Sequence, residues 1–392
     1  MSEWLETYFG DYINVINGYA FKSSNFLDAG TSETLPIIKI KNVANGNVHL
    51  NGAQHHIFDA SLSKYLVENK DVLIALTGNH PQAESQVVGI ASRYKLNEKA
   101  LLNQRVAKIV TKDESLLAQD FIYYFLIDKN THQYLASQSS GSANQANISK
   151  TDIEQIPISL PCPEEQKAIA SVLSSLDDKI DLLHRQNTTL ERMAETLFRQ
   201  WFVEEVQEDW EDGTLGEVVE IFDNMRIPLS KMERDKKKGG VLYPYYGAAQ
   251  IMDYINDYIF DGEYILMGED GTVRTDEGFP VLQYATGKFW VNNHTHVLKA
   301  KPPYSNFLIW NYLSKKNIDE IVTGAVQPKI NQGNLKALDF PKLPEHLVVE
   351  FNSLTKPMLI KINNNKKQIQ TLEKLRDNLL PKLMSGEVRV NS

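Results

Sequence analysis

The fold is decided by a stretch that occurs twice in the chain. Thr189–Met193 (TLERM) is matched by Thr371–Leu375 (TLEKL), an offset of about 182 residues. At the same offset Ile148 corresponds to Ile330. Two amphipathic helices share some leucines by chance, but here the features upstream of both stretches also follow the same order. The sequence therefore predicts an internal duplication.

Each half of the chain has the same predicted plan. A strand-rich region that ends in turn-forming residues precedes a short helix, a polar loop and one long helix. The strands are exemplified by 35–40 and 264–267, the turns by 77–79 and 269–271, and the short helices by 120–128 and 306–314. Such a plan indicates two similar mixed α/β units, each followed by a long helix.

The long helices carry an apolar repeat that alternates steps of four and three residues. The first is predicted to begin after Pro163 and the second after Pro344, and Pro357 is expected to kink or interrupt the second. A repeat sustained over several heptads is typical of a coiled coil, and a polar residue in the seam fixes register. The predicted pairing positions are Ile169, Leu173, Leu176, Ile180, Leu183, Asn187, Leu190 and Leu197 in the first helix, and Ile362, Asn365, Ile369, Leu372 and Leu379 in the second.

Two such helices in one chain most simply pair with each other in antiparallel fashion and relate the halves by an approximate two-fold axis. A continuous helix over 164–202 would extend roughly 58 Å at about 1.5 Å per residue. That length corresponds to on the order of 17 base pairs of B-DNA. The alternative interpretation is that the helices only dimerise the protein.

Composition limits the class of protein. The 392 residues are 42% hydrophobic and 23% charged, as in folded domains, and exceed what one core usually contains. No apolar run approaches the roughly 18 residues of a membrane span, and the N-terminus lacks the pattern of a signal peptide. Cys162 is the only cysteine, so an intrachain disulfide is excluded. We expect a cytoplasmic protein.

The net charge of −9 does not by itself suggest a nucleic-acid partner. Phosphate neutralisation supplies much of the affinity of a DNA-binding protein, and such proteins usually carry a basic face. No segment of this chain is strongly basic. If the protein binds DNA, its positive charge has to be arranged locally or supplied in part by a partner.

The junctions between each mixed region and its long helix carry a resemblance to a known family. They are 141–149, 156–158 and 161–166 in the first half and 323–330, 340–341 and 343–345 in the second, with further matches at 100–106, 244–248 and 258–262. In this arrangement the chain resembles the specificity subunits of type I restriction-modification systems over nearly its whole length. The position of Gln166 is occupied by Leu347 in the second copy, which is therefore degraded there.

The resemblance implies an α+β fold of two mixed α/β target-recognition domains, separated by two long antiparallel coiled-coil helices, with a pseudo-two-fold repeat. The predicted boundaries are 1–158 and 207–343 for the two domains and 159–206 and 344–392 for the helices. It also implies a DNA sequence-specificity subunit that recognises a bipartite target and docks two methyltransferase subunits, with motor-nuclease subunits as further partners. The chain itself would hold no cofactor, and S-adenosylmethionine would bind to the methyltransferase subunits.

Hydrogen-bonding and cationic side chains of the two mixed regions, including those of the polar loops 137–149 and 323–334, are the candidates for DNA contact, since amides can contact adenine edges and cations approach guanine or phosphate. In the first half they are Lys39, Lys41, Asn42, Asn103, Arg105, Gln145 and Asn147; in the second they are Tyr246, Arg274, Asn292, Asn293, Gln327 and Lys329, with the cluster 236–238 as a further basic feature.

No catalytic motif is complete. The segment 301–304 has the shape of the motif of amino-methyltransferases, but Lys301 stands where a proton acceptor is needed. No phosphate-binding glycine loop is present, and the pairs His55-His56 and His294-x-His296 lack companions at metal-ligand spacing. The chain is expected not to be an enzyme and to hold no metal. A scaffold with two ligand-binding domains on a coiled coil, and a complete enzyme, are the alternatives.

Overall fold

The computed structural model describes residues 4–28, 33–44, 46–79, 88–142, 145–205, 210–324 and 326–390. Residues 143, 144 and 325 of the two predicted polar loops, 137–149 and 323–334, lie outside these ranges. The chain divides into two compact units, one made of Met1–Leu183 with Lys367–Ser392 and the other of His184–Lys366. Each unit therefore contains part of both long helices together with one strand-rich region.

The first unit is built on a six-stranded mixed sheet. In spatial order its strands are Ile13–Asn17, Val106–Thr111, Val72–Ala75, Ala91–Arg93, Asn47–Val48 and Val43–Ala44. A four-stranded sheet contains His55–Ile57, Thr34–Ile38, Ala100–Leu102 and Leu66–Val67; a three-stranded sheet contains Ser140–Ser142, Gln145–Asn147 and Thr77–Gly78; and Leu5–Tyr8 pairs with Pro157–Leu160. The residues Thr77 and Gly78, predicted as a turn, form a strand instead, because the strand Gln145–Asn147, which also pairs with Ser140–Ser142, supplies their partner.

Helices cover one face of the first unit's sheet. Gln119–Ile127 packs its buried residues Phe121, Ile122 and Tyr124 against strand residues such as Ile74. Lys129–Ser137 and Lys150–Glu154 follow it, and Ser149 and Asp152 cap the latter by exchanging hydrogen bonds. The predicted short helix over 120–128 is confirmed.

The second unit repeats this plan with longer strands. Its six-stranded sheet contains, in spatial order, Val219–Ile221, Thr295–Ala300, Phe260–Gly268, Leu282–Val291, Tyr243–Tyr246 and Ile251–Ile255. Its helices are Leu215–Val218, Lys231–Asp235, Asn306–Leu313 and Gln332–Ala337. Asn306–Leu313, the predicted second short helix, buries Phe307 and Leu308 in a core that contains Ile265 and Leu298. Two mixed α/β units with long helices confirm the predicted fold class.

The two long helices begin where the prolines predicted them. The first spans Pro163–Arg199 and ends in the π-helical turn Gln200–Glu204, and the second spans Glu345–Met384. The second helix continues through Pro357, so the predicted interruption is wrong; Ser353, whose carbonyl loses its donor, lies on an exposed face where water can replace that bond. Within the described ranges, none of the helices contains an apolar stretch of the length that a membrane span requires.

Gln166 attaches the first long helix to the rest of its unit. The side chain is fully buried. Its amide donates to the carbonyls of Leu116 and Pro161 at 2.9 Å, and its carbonyl accepts from the Ala118 N–H at 2.9 Å. All three polar contacts of this glutamine are used to satisfy backbone groups near the helix start, which explains why an amide is found there.

The long helices pair within each unit. In the first unit, residues 163–183 pack against 367–384, and Ile180, Leu183 and Ile369 form one cluster. In the second unit, Asn365 donates to the Oδ1 of Asn187 at 2.9 Å. Of the predicted pairing positions, Ile169, Leu173, Ile180, Leu183, Asn187, Ile362, Asn365 and Ile369 are buried, whereas Leu176, Leu190, Leu197, Leu372 and Leu379 are half-buried.

The Asn187–Asn365 pair gives the first prediction. Asn365→Leu leaves the amide of Asn187 buried without that partner, so the free energy of unfolding should fall by about 1–3 kcal/mol. The double variant Asn187→Leu/Asn365→Leu removes both polar groups and should recover most of this loss. Differential scanning calorimetry of the single and double variants measures the coupling, with the exposed Lys361→Ala as the control. Equal destabilisation by the single and double variants would contradict the pairing.

Candidate DNA interface

A short set of backbone hydrogen bonds brings three segments of the first unit together at the end of the buried strand Val72–Ala75. The Ile148 N–H donates to the carbonyl of Leu76 at 2.9 Å, and the Leu76 N–H donates to that of Arg105 at 2.9 Å. Nearby, the Asn103 N–H donates to the carbonyl of Ile38 at 3.1 Å. We call this set the sheet-end ladder.

The second unit contains the same ladder with different residues. The Ile330 N–H donates to the carbonyl of Glu269 at 2.8 Å, and the Glu269 N–H donates to that of His294 at 2.9 Å. The Asn292 N–H donates to the carbonyl of Tyr246 at 3.1 Å. Each bond of the first unit thus has a counterpart of nearly equal length in the second.

The strand registers establish this equivalence independently. In the first unit Val106 pairs with Ala75, and in the second Thr295 pairs with Gly268 in the same antiparallel relation. The loops pair alike, because Asn147 lies opposite Thr77 and Lys329 forms a bridge with Asp270. The duplication therefore extends from the long helices to the backbone of the loops.

The equivalent positions present different side chains. Arg105 in the first unit corresponds to His294 in the second, and Asn147 corresponds to Lys329. Arg105, His294 and Lys329 are exposed, and Asn147 is half-buried. Each pair differs in its hydrogen-bonding groups, and Asn147 and Lys329 also differ in charge, although the backbone hydrogen bonds at these positions are the same.

The structure brings most of the predicted DNA-contact residues close to the sheet-end ladder. In the first unit these are Lys39, Asn103, Arg105, Gln145 and Asn147, and in the second they are Tyr246, Asn292, Asn293, Gln327 and Lys329. Lys41 follows Lys39 on the 3-10 turn Ile40–Asn42. Arg274 lies beyond the turn at Gly271 and forms an ion pair with Asp319.

Two of the predicted contact residues are buried and support the loops instead. Asn42 is fully buried; its side chain accepts from the Lys39 N–H at 3.0 Å and donates to the carbonyl of His49 at 2.9 Å. The Oδ1 of Asn292 accepts from the His294 N–H at 2.9 Å. These amides are consumed within the protein, so we correct their predicted role from DNA contact to support of the loop backbone.

The first unit carries unpaired positive charge at its ladder. Lys39, Lys41 and Arg105 have no carboxylate partner within ion-pair distance among the described residues. Lys39 lies over the ring of Phe26 at 4.0 Å, and its burial, followed by the repulsion from Lys41, lowers the pKa of its ammonium. Local cations of this kind suit an anionic partner even though the chain is acidic overall.

The cations of the second unit are mostly paired. Lys329 lies 3.6 Å from Glu269, and Lys237 lies 2.8 Å from Asp257. Lys238 donates to Asp253, and this hydrogen bond is the main reason why the pKa of that carboxyl falls to about 2. Two of the three amines of the predicted basic cluster 236–238 are therefore engaged with acidic residues.

Sequence reasoning missed His294 as a candidate contact residue. Its side chain is 49% exposed and bonds to the carboxylate of Asp270. A sequence pattern could have identified it. In both halves an apolar strand is followed by an asparagine, a polar residue and a basic residue, at 103–105 in the first half and at 292–294 in the second. The two patterns are offset by about 189 residues, so an alignment based on the helix offset does not superpose them.

A buried cluster of charged residues contacts the polar loop 323–334 of the second unit, which we call the second loop. Asp223, Glu269 and His296 place one potential metal-ligand atom each within 4.8 Å of one another. However, Arg226 donates to Glu269 and lies 3.6 Å from Asp223. Burial raises the pKa of Asp223, but hydrogen bonds from His296 and the Val297 N–H, with the charges of His296 and Arg226, hold it below its ordinary value. The positive charge that balances these carboxylates is thus supplied by the protein.

Lys301 has a structural role in the segment that resembles the methyltransferase motif. Its ammonium donates to the carbonyls of Gly216 at 2.9 Å and Glu217 at 3.2 Å. An ammonium has no lone pair to accept an amino proton. The geometry therefore gives this segment the role of a turn attached to the helix Leu215–Val218.

Comparisons with known proteins define the class of protein. The family model described as type I restriction modification DNA specificity domain matches residues 1–192 and 207–374. The MjaIX specificity subunit of Methanocaldococcus jannaschii is 29% identical over 331 residues, which cover 74% of this chain and 73% of that protein. The putative MjaX specificity subunit of the same organism is 23% identical and covers 91% of this chain and 88% of its own length.

A solved structure has the same fold. The type I restriction-modification system S subunit from M. genitalium matches 97% of this chain and 96% of its own, with a TM-score of 0.63 and 18% identity. The class of protein is thus a specificity subunit with two copies of one domain. The chain belongs to the type I restriction modification DNA specificity domain family.

The buried amide of Asn42 gives the second prediction. Asn42→Ala removes the acceptor of the Lys39 N–H and the donor to His49, so the free energy of unfolding should fall by about 1–3 kcal/mol. Arg105→Ala, an exposed change at the same end of the sheet, should alter it by no more than about 0.5 kcal/mol. Thermal unfolding of both variants measures the difference. An unchanged stability of Asn42→Ala would return this residue to the list of candidate DNA contacts.

Proposed function

We propose that each unit recognises one half of a bipartite DNA target through the side chains carried by its sheet-end ladder. The observation that carries the proposal is the duplication of the ladder with different side chains at equivalent positions, Arg105 against His294 and Asn147 against Lys329. Base edges are distinguished by their pattern of donors and acceptors. Recognition of two different short base sequences by two similar units therefore requires different hydrogen-bonding side chains on the same backbone.

The remaining parts of the proposal concern partners. We infer that the paired long helices dock two methyltransferase subunits, that these bind S-adenosylmethionine and methylate adenine, and that motor-nuclease subunits join for cleavage. The chain itself contributes no catalytic group in this proposal: Lys301 is engaged with backbone carbonyls, and the carboxylates of Asp223 and Glu269 are neutralised by Arg226. Recognition is then the function of this chain, and chemistry that of its partners.

The central experiment tests the bipartite target. We co-express the chain with its candidate methyltransferase subunit and map N6-methyladenine across the host genome. A split motif, two short sequences with a fixed gap, is the expected result. The matched control expresses the methyltransferase without this chain and should give no such motif. A contiguous motif, or no new methylation by an assembled complex, would overturn the proposal, and methylation by this chain alone would make it an enzyme.

A domain exchange follows from the duplication. Replacing the second strand-rich region, residues 207–343, by that of a relative with another motif should change one half of the methylated sequence and leave the other half intact. The reciprocal exchange of residues 1–158 should change only the other half. If either exchange alters both halves, the assignment of one half-site to each unit is wrong.

Lys329 gives a prediction for binding energetics. A lysine that contacts phosphate releases about one counterion, so Lys329→Ala should weaken DNA binding by the complex and reduce the slope of log affinity against log salt by about one. Fluorescence anisotropy between low and moderate salt measures both quantities. Lys336→Ala, an exposed lysine on the helix Gln332–Ala337, serves as the control. An unchanged affinity and slope would remove Lys329 from the phosphate contacts.

A further inference from the structure

The second loop is attached to the buried charged cluster by three hydrogen bonds. His296 bonds through Nε2 to the carbonyl of Ile330 at 2.9 Å, and Gln332 donates to the Oδ2 of Asp223 at 2.7 Å. The Ile330 N–H donates to the carbonyl of Glu269 at 2.8 Å. The N–H and the carbonyl of Ile330 are therefore both hydrogen-bonded to residues of the buried cluster.

Next to Ile330, the two ends of the loop's exposed part are joined by a pair of backbone hydrogen bonds. The Lys329 N–H donates to the carbonyl of Thr323 at 2.7 Å, and the Thr323 N–H donates back at 2.8 Å. Gln327 and Lys329, the two predicted DNA-contact residues of the loop, thus lie within three residues of Ile330. A shift of Ile330 would move both side chains relative to the sheet.

The ring of His296 faces hydrogen-bond acceptors at both of its nitrogens. The ring is fully buried, with Nδ1 2.6 Å from the Oδ2 of Asp223 and Nε2 2.9 Å from the carbonyl of Ile330. A carboxylate and a carbonyl oxygen only accept hydrogen bonds, so both ring nitrogens face acceptors in this arrangement. Arg226 supplies positive charge beside the carboxylates of Asp223 and Glu269.

The first unit shows that the fold does not need this cluster. The strand registers place Ala107, which lies opposite Ile74, where the second unit has His296, which lies opposite Met267. Leu76 corresponds to Glu269 through the sheet-end ladder. Ala107 and Leu76 are buried in the apolar core, so the equivalent loop of the first unit is supported without a buried ion pair.

We propose that Asp223 and His296 are positioning residues that fix the loop 323–332 for recognition of the half-site bound by the second unit, and of that half-site alone. The inference rests on the proposed function. The pair acts through Ile330 and Gln332 rather than by touching DNA, because His296 and Asp223 are buried. The effect of losing it is a loop that presents Gln327 and Lys329 in more than one arrangement, and hence a loss of discrimination between bases.

The test compares discrimination at the two half-sites. The complete methyltransferase complex is assayed on a matched duplex and on duplexes with single-base changes in either half. For His296→Ala the ratio of matched to mismatched kcat/KM should fall about tenfold at the second unit's half-site, the low end of what one base contact supplies. At the other half-site the ratio should be unchanged. Thr77→Ala, which removes a hydroxyl bonded to Asn147 in the first loop, is the reciprocal control.

A second variant keeps the test decisive if His296→Ala does not fold, as judged by its thermal unfolding midpoint. Asp223→Asn retains an oxygen for the Val297 N–H, which donates to Oδ1 at 2.9 Å. It removes the negative charge and replaces Oδ2, the acceptor that Gln332 and His296 contact, by an amide group that donates. It should give the same one-sided loss. Folded variants that lose discrimination at both half-sites, or at neither, would overturn the positioning role.

The hydrogen bonds of the His296 ring give an independent measurement. In the full chain labelled with 15N-histidine, one of the nine histidines should show hydrogen bonds at both ring nitrogens, and this signal should change in Asp223→Asn. A ring without both hydrogen bonds, or a change of discrimination on adding a chelator, would favour a metal at this cluster and overturn the interpretation of direct hydrogen bonds. A wild-type complex that methylates no split motif would contradict the proposed function itself, before any variant is compared.

Discussion

The hydrogen bond from the loop isoleucine to the end of the buried central strand is the constraint on which the candidate interface depends. Ile148 and Ile330 each place a buried side chain in the core and donate their N–H to the residue that follows that strand, Leu76 in one unit and Glu269 in the other. Because the bond uses only backbone atoms, it does not restrict the side chains on either side. A position such as that of Lys329 can therefore change its chemistry while its backbone stays in register, which is the property that a variable recognition surface needs.

Charge is distributed unequally over these similar backbones. The first unit leaves Lys39, Lys41 and Arg105 without a carboxylate partner among the described residues, whereas the second pairs Lys329 with Glu269. A cation without a carboxylate partner attracts any anion, while a cation paired with a carboxylate has to exchange that partner for phosphate and gains less. This arrangement explains how an acidic chain can carry a DNA surface, and the family assignment leaves the alternative of a scaffold that does not bind DNA without support.

Much of the fold could be predicted from the sequence, because the apolar repeat of the long helices and the prolines before them reflect local rules. The offset of 182 residues holds for the helices and for Ile148 and Ile330, but equivalent positions in the strands are offset by 189 to 208 residues, since the connecting loops differ in length. Equivalence in a sheet is set by register, which depends on long-range pairing. For that reason His294 was missed, and Thr77 and Gly78 were predicted as a turn although a distant hairpin completes their sheet.

Polar contacts that occur in only one of the two units select a single helix register and a single loop arrangement. By the helix offset, the Asn187–Asn365 pair of the second unit corresponds to Ile369 and Leu183 in the first, and those residues pack as an apolar cluster. An apolar contact alone tolerates a shift of one helix along the other, whereas a buried amide pair is satisfied in one register only. The cluster of Asp223 and His296 has the same effect on a loop. At the equivalent positions the first unit has apolar residues, which support the same backbone but do not fix a hydrogen-bond geometry. In both cases a polar contact in one copy selects a single arrangement that the duplicated apolar pattern leaves open.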